Sequence, residues 1–420
     1  MAEHGKGPLS GYRVVELTTA WAGPYAGQVL AHLGAESIRI ESVNRLCVTR
    51  TIVPFAEGQR HYDRAGYFCE YNQGKRSVQL NLARPEAVEL VKRLVAMSDA
   101  VIENFAAGVV ERWGLGYEEL KKVKPDIVMV SMSGHGRTGP LRNYVSYGPY
   151  LVALSGFATL TGYRGWEHPM HVGMSYPDPN GGWHGAFAVM AGLYYRKCTG
   201  RGQYVDLSQW EAAIALLGDA ILGYLMNGHQ PPRLGNRDPV MAPHGFFRCA
   251  PARDGELPEG LLPEDRWISI ACGSDEEWQA LCRVMGRPEL ARDPRFATRE
   301  ARKANEDELE RIVEEWTLTQ DPFEATRRLQ EAGVAAYPAL NNKEVAEDPH
   351  LNARRFFTEK EHPVVGVRKH TGIPWRMSAT PCEVWRAAPV LGQDNDYVFR
   401  QLLGLSPDDI EELKRKEVIL

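Results

Sequence analysis

The sequence predicts an α/β fold in which a mostly parallel sheet carries helices on both faces and a smaller unit follows. Over the first 230 residues strand-like and helix-like segments alternate, beginning with "YRVVELT" (12–18), "PYAGQVLAHLGA" (24–35) and "SIRIESV" (37–43). Such alternation is typical of parallel sheets, because a helix crosses between consecutive strands. A stretch rich in Pro, Gly and Asn at 227–245 then breaks the pattern and predicts a linker. The 420 residues, 44% of them hydrophobic, suffice for two domains.

The remaining elements are predicted in order along the chain. Further strands are expected at 77–82, 100–105, 126–134 and 202–209. Helices are expected at 85–98, at 117–125, in the apolar run after Asp178, and from Trp210 to about Met226. The smaller unit begins with the strand "RWISIAC" (266–272) and continues with charged helices near 274–286, 301–318 and 322–332. Ser406 and Pro407 fit the N-cap and first position of a surface helix with an acidic first turn.

Composition excludes several classes of function. A net charge of -5 and a pI near 6.2 leave no basic surface of the kind that binds nucleic acid. No apolar stretch is long enough to predict a membrane span, and the first residues lack the apolar core of a secretory signal. The seven cysteines contain no CxxC pair and the twelve histidines no HExxH, so we expect neither a disulfide framework nor a metal. These features predict a cytoplasmic protein with reduced thiols.

One glycine-rich segment, "GHGRTG" (134–139), matches the G-x-G-x-x-G pattern of dinucleotide-binding proteins and follows a predicted strand. That pattern should open a helix and be followed about 20 residues later by an acid that binds the ribose. Here Pro140 follows at once, and no Asp or Glu occurs between residues 140 and 166. We therefore predict a turn, with no nicotinamide or flavin site. The motifs of serine hydrolases and of P-loop ATPases are also absent from the sequence.

Asp178 lies between two prolines in "SYPDPNGGWHGAFAVMAG" (175–192), just before an apolar helical run. As a structural residue it would be a helix N-cap, with Pro179 at the first helical position, and would contribute about 1 kcal/mol. As a reactive residue it would be a carboxylate kept ionised by the helix dipole, with Gly181 and Gly182 allowing a bulky ligand to approach. Backbone N–H groups there could stabilise an oxyanion, and such a nucleophile needs no metal. This stretch alone leaves both interpretations open.

Several ordered segments carry a resemblance to a known family. They are "GYRVVELTTAWAGPYAGQVLAHLGAESIRIE", "YNQGKRSVQLNLARPEA", "DAVIENFAAGVVERWGLGYEELKKVKPDIVMVSMSGHGRTGP", "YPDPNGG" and "YYRKCTGRGQYVDLSQWEA". Together they look like the class III CoA-transferases of the CaiB/BaiF type, the family of formyl-CoA transferase and the carnitine CoA-transferases. "APHGFFRC", "DRWISIAC" and "APVLGQDND" extend the similarity to the family's smaller domain and its C-terminal return.

The resemblance implies an open Rossmann-like large domain and a smaller α/β domain joined by two long linkers. Two chains would interlock like links of a chain, as a homodimer or as a heteromer with a related subunit. We therefore expect the large domain over 1–228, a linker over 229–245 and the small domain over 246–340. A second linker and the return to the large domain are expected over 341–420.

The same resemblance implies that Asp178 is the catalytic nucleophile. It would attack an acyl-CoA thioester to form an anhydride and then an aspartyl-CoA thioester, from which a carboxylic acid takes the CoA. Coenzyme A and acyl-CoA are then substrates, and no metal, nicotinamide or flavin is expected. The residues implied to contact CoA are Trp21, Ala22, Arg50, Leu80, Asn81, Asn104, Phe105 and Arg112. Without that role, Arg50 and Arg112 would be ordinary solvated side chains.

Two alternatives share this fold. The α-methylacyl-CoA racemases carry a His-Asp pair at the positions of Tyr147 and Gly148, and tyrosine, with a pKa of ~10, is a poor base at neutral pH. The chain could also be the CoA-binding subunit of a heteromeric transferase, although Asp178 favours a catalytic chain. "SYGP", "ALSGFATLTGY" and "SYPDPNGG" look closest to the succinyl-CoA:benzylsuccinate branch of the family.

That branch implies a dicarboxylate donor such as succinyl-CoA and a bulky or aromatic acceptor acid. Aromatic side chains at 144–183 are candidates for the wall of an apolar acceptor pocket, although residues at this spacing also occur in ordinary cores. The candidates are Tyr144, Tyr147, Tyr150, Trp166, Tyr176 and Trp183.

Overall fold

The computed structural model describes residues 6–253 and 257–420, which form two compact units. The large unit comprises the described residues up to Ala158, together with His171–Gln230 and Arg354–Leu420. The small unit comprises Thr159–Met170 and the described part of Pro231–Ala353.

The segment 229–245, expected as a linker, belongs almost entirely to the small unit. Arg237 donates a hydrogen bond of 2.7 Å to Glu310 and also pairs with Asp307, and a strand of the small unit begins at His244. The small unit therefore extends beyond the expected 246–340 at both ends. It begins at Pro231 and ends at Ala353, apart from the separate segment Thr159–Met170.

The strands of the described residues are β1 (Arg13–Leu17), β2 (Glu36–Glu41), β3 (Arg76–Gln79), β4 (Ala100–Glu103), β5 (Val128–Ser133), β6 (Gln203–Ser208), β7 (His244–Arg248), β8 (Trp267–Ala271), β9 (Ala335–Pro338), β10 (Phe357–His362) and β11 (Gly366–Thr371). The α-helices are α1 (Ala22–His32), α2 (Gly66–Glu70), α3 (Pro85–Ala96), α4 (Val109–Arg112), α5 (Tyr117–Val123), α6 (Gly148–Ser155), α7 (Phe157–Leu160), α8 (Pro177–Thr199), α9 (Gln209–Ile214), α10 (Gly218–Asn227), α11 (Asp275–Met285), α12 (Arg299–Ala304), α13 (Glu306–Thr317), α14 (Pro322–Glu331), α15 (Asn342–Glu347), α16 (Pro349–Ala353) and α17 (Pro407–Arg415).

The strands predicted in the first 230 residues are present and form one parallel sheet, in the order β3-β2-β1-β4-β5-β6. Alternate residues of β1 enter different cores: Val15 packs with α3 on one face of the sheet, and Val14 packs with α1 and α8 on the other. All residues of β2, β4 and β5 are buried, as expected for a parallel sheet covered on both faces. The mixed α/β prediction is confirmed.

Two predicted helices are divided in the structure. A 3-10 turn over Ala215–Leu217 separates α9 from α10, because Leu217 leaves the helical backbone conformation. Asn305 likewise separates α12 from α13. At the C-terminal helix the prediction is confirmed, since the Ser406 side chain accepts a hydrogen bond from the backbone N–H of Asp409.

A segment from the end of the chain closes the sheet at β3. The Asp394 carboxylate accepts a 3.0 Å hydrogen bond from the backbone N–H of Ser77. Further along, Ile419 forms a bridge with Leu80, and Val418 is buried in the core below the sheet. These contacts cover the free edge of β3, which would otherwise expose unpaired backbone groups.

The small unit contains the antiparallel sheet β7-β8-β9, packed against α11, α13 and α14. Its core includes the fully buried ring of Trp278, and the Ser274 capping box fixes the start of α11. Across the described ranges, no helix combines the length and apolar character needed to cross a bilayer.

Candidate active site

The strand order reverses between β1 and β4, and the carboxyl ends of these two strands border a crevice. In open parallel sheets ligands bind at such a reversal point, outside the carboxyl ends of the strands. Two neighbouring cavities of about 260 and 240 Å³ lie there, both within the large unit. We call the first the outer cavity and the second the Asp178 cavity. They share the lining residues Thr19, Arg45 and Phe105, so they form one continuous cleft.

Asn104 fixes the turn between β1 and α1, which forms part of the cleft wall. Its side-chain oxygen accepts a 2.7 Å hydrogen bond from the Thr19 N–H, and its amide donates one of 2.8 Å to the Thr19 carbonyl. A β-carbon on Gly23 would lie 2.7 Å from the Asn104 side chain, so this contact requires glycine. Ala20, which follows Thr19 in this turn, has a φ of 58°, a strained backbone conformation for a residue with a β-carbon.

Asp178 lines the second cavity from the first turn of α8. The helix begins at Pro177 with Tyr176 at the N-cap, and no side-chain hydrogen bond caps it. The interpretation of Asp178 as an N-cap is therefore wrong. Within residues 6–253 and 257–420 its carboxylate accepts no hydrogen bond.

Burial raises the pKa of Asp178 from 3.8 to about 7. The sequence-based expectation that the helix dipole keeps this carboxylate ionised is thus outweighed by loss of solvation. Burial is the main cause that raises the pKa of Tyr67, and the neighbouring groups Tyr71 and Asp178 add to it, so Tyr67 and Asp178 lie near each other. A carboxylate that is poorly solvated at neutral pH is a reactive nucleophile, and the arrangement suits acyl transfer.

Gly148, the first residue of α6, lies against the Asp178 carboxylate. A β-carbon on Gly148 would stand 1.8 Å from Oδ2 of Asp178, well inside van der Waals contact. The aspartate that a racemase would carry at this position therefore has no room beside Asp178. The neighbouring residue, Tyr147, also lines the cavity, at the position where a racemase would carry histidine.

The diglycine after Asp178 has a packing role rather than the expected role in ligand approach. A β-carbon on Gly181 would meet the Gln209 side chain at 2.9 Å. One on Gly182 would meet the Tyr25 ring at 2.9 Å and the Ala22 carbonyl oxygen at 3.0 Å. The two glycines thus let α8 pack closely on α1 and α9, which holds Asp178 at its position.

The outer cavity contains three of the residues implied to contact CoA: Leu80, Asn81 and Phe105. The Phe105 ring packs edge-on against Trp113, with 5.1 Å between ring centroids. A fourth, Asn104, lines the Asp178 cavity. The structure thus brings these four residues into the same cleft as the Asp178 carboxylate.

Arg50 departs from the expectation. It is 1% exposed and lines neither cavity, and its guanidinium forms two 2.9 Å hydrogen bonds to Glu41 and one of 2.7 Å to Asp63. The guanidinium also lies over the Phe68 ring, 3.4 Å from its centroid. Its donors are therefore engaged inside the protein, and neither a CoA contact nor simple solvation describes it.

Three other predicted CoA contacts also lie outside the lining of both cavities. Trp21 packs against Tyr67 and Tyr71, at centroid distances of 5.5 and 4.9 Å, and Ala22 is 1% exposed at the start of α1. Arg112 is exposed at the end of α4.

Sequence reasoning missed many of the polar residues that line the cleft, among them Arg45, Ser133, His135 and Arg142. Arg45 is exposed and lies in the same loop as Arg50, so this loop does present a cation to the cleft, at Arg45 instead of Arg50. The expected aromatic pocket is largely absent from the Asp178 cavity, where Tyr144 and Tyr147 are the members of that group on the wall. Over the described ranges no cluster of His, Cys, Asp and Glu is arranged to hold a metal ion.

Comparisons with known proteins identify the family of the chain. Residues 9–395 match the model of CoA-transferase family III. The chain is 36% identical to the succinyl-CoA–D-citramalate CoA-transferase of Chloroflexus aurantiacus, over 98% of each chain. It is 33% identical to the succinate–glutarate CoA-transferase of Agrobacterium fabrum, over 94% of this chain and 96% of that protein.

Among solved structures, the chain resembles a CAIB/BAIF family protein from Brucella suis, with a TM-score of 0.84 and 33% identity. The match covers 94% of this chain and 100% of that one. Both the sequence comparison and the fold therefore agree with the resemblance seen in the sequence segments. The chain belongs to CoA-transferase family III and is a CoA-transferase.

Proposed function

We propose that this enzyme transfers CoA from a dicarboxylic acyl-CoA, such as succinyl-CoA, to a carboxylic acid through covalent intermediates on Asp178. The observation that carries the proposal is the placement of a half-buried carboxylate, without a hydrogen-bond partner among the described residues, in a cleft at the strand-order reversal. The names of the two relatives, both acting on dicarboxylic acids, support the substrate class.

The reaction divides into two symmetrical halves. An oxygen of ionised Asp178 attacks the thioester carbonyl, the C–S bond breaks, and CoA leaves as a thiolate, giving an acyl-aspartyl anhydride. The thiolate then attacks the Asp178 carbonyl carbon and releases the donor acid as a carboxylate, leaving an aspartyl-CoA thioester. The acceptor carboxylate then attacks the aspartyl-CoA thioester and releases the thiolate, which gives an anhydride of the acceptor with Asp178. Attack by the thiolate on the acceptor carbonyl of this anhydride forms the new acyl-CoA and regenerates the Asp178 carboxylate.

Burial of Asp178 serves this chemistry in two ways. The raised pKa reflects weak solvation of the carboxylate, which makes its oxygen a better nucleophile once ionised. Exclusion of water also protects the anhydride from hydrolysis. Since one thioester and one carboxylate are exchanged for another such pair, the transfer needs no ATP.

Coenzyme A would extend from the outer cavity, which accommodates its adenosine beside Leu80, Asn81 and Phe105, to the thioester at Asp178. Arg45 lines both cavities and forms no ion pair among the described residues, so it is the cation best placed for the phosphates. Arg112 is a second candidate for a phosphate contact, because it is exposed and directly precedes Trp113, which lines the outer cavity.

We also propose that two chains interlock, as a homodimer or with a related subunit. The exposed apolar side chains of α10, namely Leu222, Leu225 and Met226, support an oligomer, since they are 53%, 72% and 70% exposed in the single chain. Native mass spectrometry of the purified protein counts the chains directly.

Trapping of the intermediate tests the mechanism. Wild-type protein is incubated with succinyl-CoA and hydroxylamine, which converts an activated aspartyl group to a hydroxamate, and the modified peptide is identified by mass spectrometry. We expect modification at Asp178, and Asp178→Asn should show neither modification nor CoA transfer. Modification at another residue, or full transfer by Asp178→Asn, would contradict the proposal.

A further inference from the structure

Three polar side chains on the wall of the Asp178 cavity lack partners among the described residues. The Ser133 hydroxyl and Nδ1 of His135 are both buried and form no hydrogen bond, and Ser133 is 8% exposed. Arg142 is an exposed side chain on the same wall and forms no ion pair with any described residue, in contrast to the nearby Arg137, which pairs with Glu103. Asp178 is the single acid on this wall.

Ser133 and His135 are held in place by their surroundings. Ser133 is the last residue of β5, and a β-carbon on Gly134 would lie 1.7 Å from Oγ of Ser146, so the following loop is tightly packed. The His135 ring lies edge-on to Trp210 and Tyr144, with centroid distances of 5.7 and 6.3 Å. The unpartnered atoms are therefore not free to turn toward other protein groups.

A buried polar atom without a partner is unfavourable, and such atoms at a cavity wall indicate a ligand that completes their hydrogen bonds. A hydroxyl, an imidazole and a guanidinium are together suited to a carboxylate, because each can donate to its oxygens. The anion they bind is distinct from the thioester carbonyl, which must lie at Asp178.

We propose that Arg142, assisted by Ser133 and His135, binds the distal carboxylate of the acyl group and so selects dicarboxylic acids over monocarboxylic acids. This inference rests on the proposed function and adds the residues that determine its substrate class. Arg142 acts as a specificity residue, since a monocarboxylic acyl chain forms no ion pair with it and leaves the two buried polar atoms without hydrogen bonds. The bulky aromatic acceptor implied by the sequence fits this polar wall less well.

Exchange of label between an acid and its own CoA thioester gives the test, because it requires no knowledge of the natural acceptor. The quantity measured is kcat/KM for succinyl-CoA with labelled succinate divided by kcat/KM for butyryl-CoA with labelled butyrate. Butyryl is a four-carbon chain like succinyl but ends in a methyl group.

We expect Arg142→Gln to lower this ratio on the order of 100-fold, and Arg142→Lys to restore part of it. Ser133→Ala, which removes a single hydroxyl, should lower the ratio by about tenfold. The matched control is Arg201→Gln, an exposed arginine outside both cavities, which should leave the ratio unchanged. An unchanged ratio in Arg142→Gln would overturn the inference.

Hydroxylamine trapping in the same samples separates this inference from the proposed mechanism. If wild-type protein gives the Asp178 hydroxamate and the Arg142→Gln ratio equals that of wild type, the carboxylate subsite alone is wrong. If wild-type protein gives no Asp178 adduct from either thioester, the covalent mechanism fails and the inference falls with it. A lowered ratio together with the Asp178 adduct supports both.

Discussion

Oδ2 of Asp178 lies 1.8 Å from the point at which a β-carbon on Gly148 would stand, so these two residues fit together only if position 148 is glycine. Gly148 begins α6, and Asp178 lies in the first turn of α8. The start of α6 thus leaves the space that the Asp178 carboxylate of α8 occupies. This relationship also separates the protein from a racemase, which would need an acidic side chain in that space.

We expect Gly148→Ala to reduce kcat by roughly 100-fold, because the added methyl group displaces the Asp178 carboxylate by about 1 Å from its reactive position. The rate is measured as succinyl-CoA exchange with labelled succinate. Gly218→Ala is the matched control, since a β-carbon there meets no atom within 4 Å. Equal activity of the two variants would show that Asp178 tolerates displacement.

The pH dependence of trapping follows from the raised pKa of Asp178. Because the protonated carboxyl is not nucleophilic and its pKa is about 7, the rate of hydroxamate formation should rise about tenfold per pH unit below pH 7 and become constant above it. His135 is another titratable group on the cavity wall, so the profile is also measured in His135→Phe, which keeps an aromatic ring at the contact with Trp210. A midpoint that remains near 7 assigns the titration to Asp178, whereas a rate that is flat between pH 5 and 8 argues against it.

Arg50 and Arg45 both lie in the loop after β2, but their substitution should affect different properties. Replacing Arg50 should lower stability, whereas replacing Arg45 should raise KM for acyl-CoA. Arg50→Gln leaves Asp63 buried without its cation and Glu41 with only the more distant Arg39, at 3.8 Å, so we expect the free energy of unfolding to fall by about 3–5 kcal/mol. Arg45→Gln alters an exposed side chain, so stability should change by less than about 0.5 kcal/mol, whereas KM for acyl-CoA should rise by about tenfold.

Urea denaturation and steady-state kinetics measure both properties on the same samples. Each arginine thereby serves as the control for the other. A normal stability with a raised KM in Arg50→Gln would restore the original assignment of Arg50 as a CoA contact.

The sequence predicted the fold well where local pattern determines structure. β1 was expected at 12–18 and lies at Arg13–Leu17, because hydrophobic runs between turn residues mark buried strands in any context. Asp178 was chosen as the candidate nucleophile from its motif, and the structure has it on the wall of a cavity, while its catalytic role stays a prediction.

The roles of individual cleft residues depended on contacts that are distant in the sequence. Arg50 is buried because Asp63 and the Pro389 carbonyl, 339 residues further along, accept its hydrogen bonds. Nothing within the loop itself distinguishes it from Arg45. The pKa of Asp178 could not be predicted either, because the helix dipole is visible in the sequence whereas the surroundings that bury the carboxylate are not.

The bridge between Leu80 and Ile419 has a consequence for how the protein is made. Leu80 belongs to the wall of the outer cavity, yet its neighbour Ile419 is translated after every other strand of the sheet has left the ribosome. A growing chain can therefore pair its six strands early, but the wall of the outer cavity at Leu80 is completed only when the segment around Ile419 docks against it. Binding of a ligand in this cavity should consequently depend on the docking of that segment and not on assembly of the sheet alone.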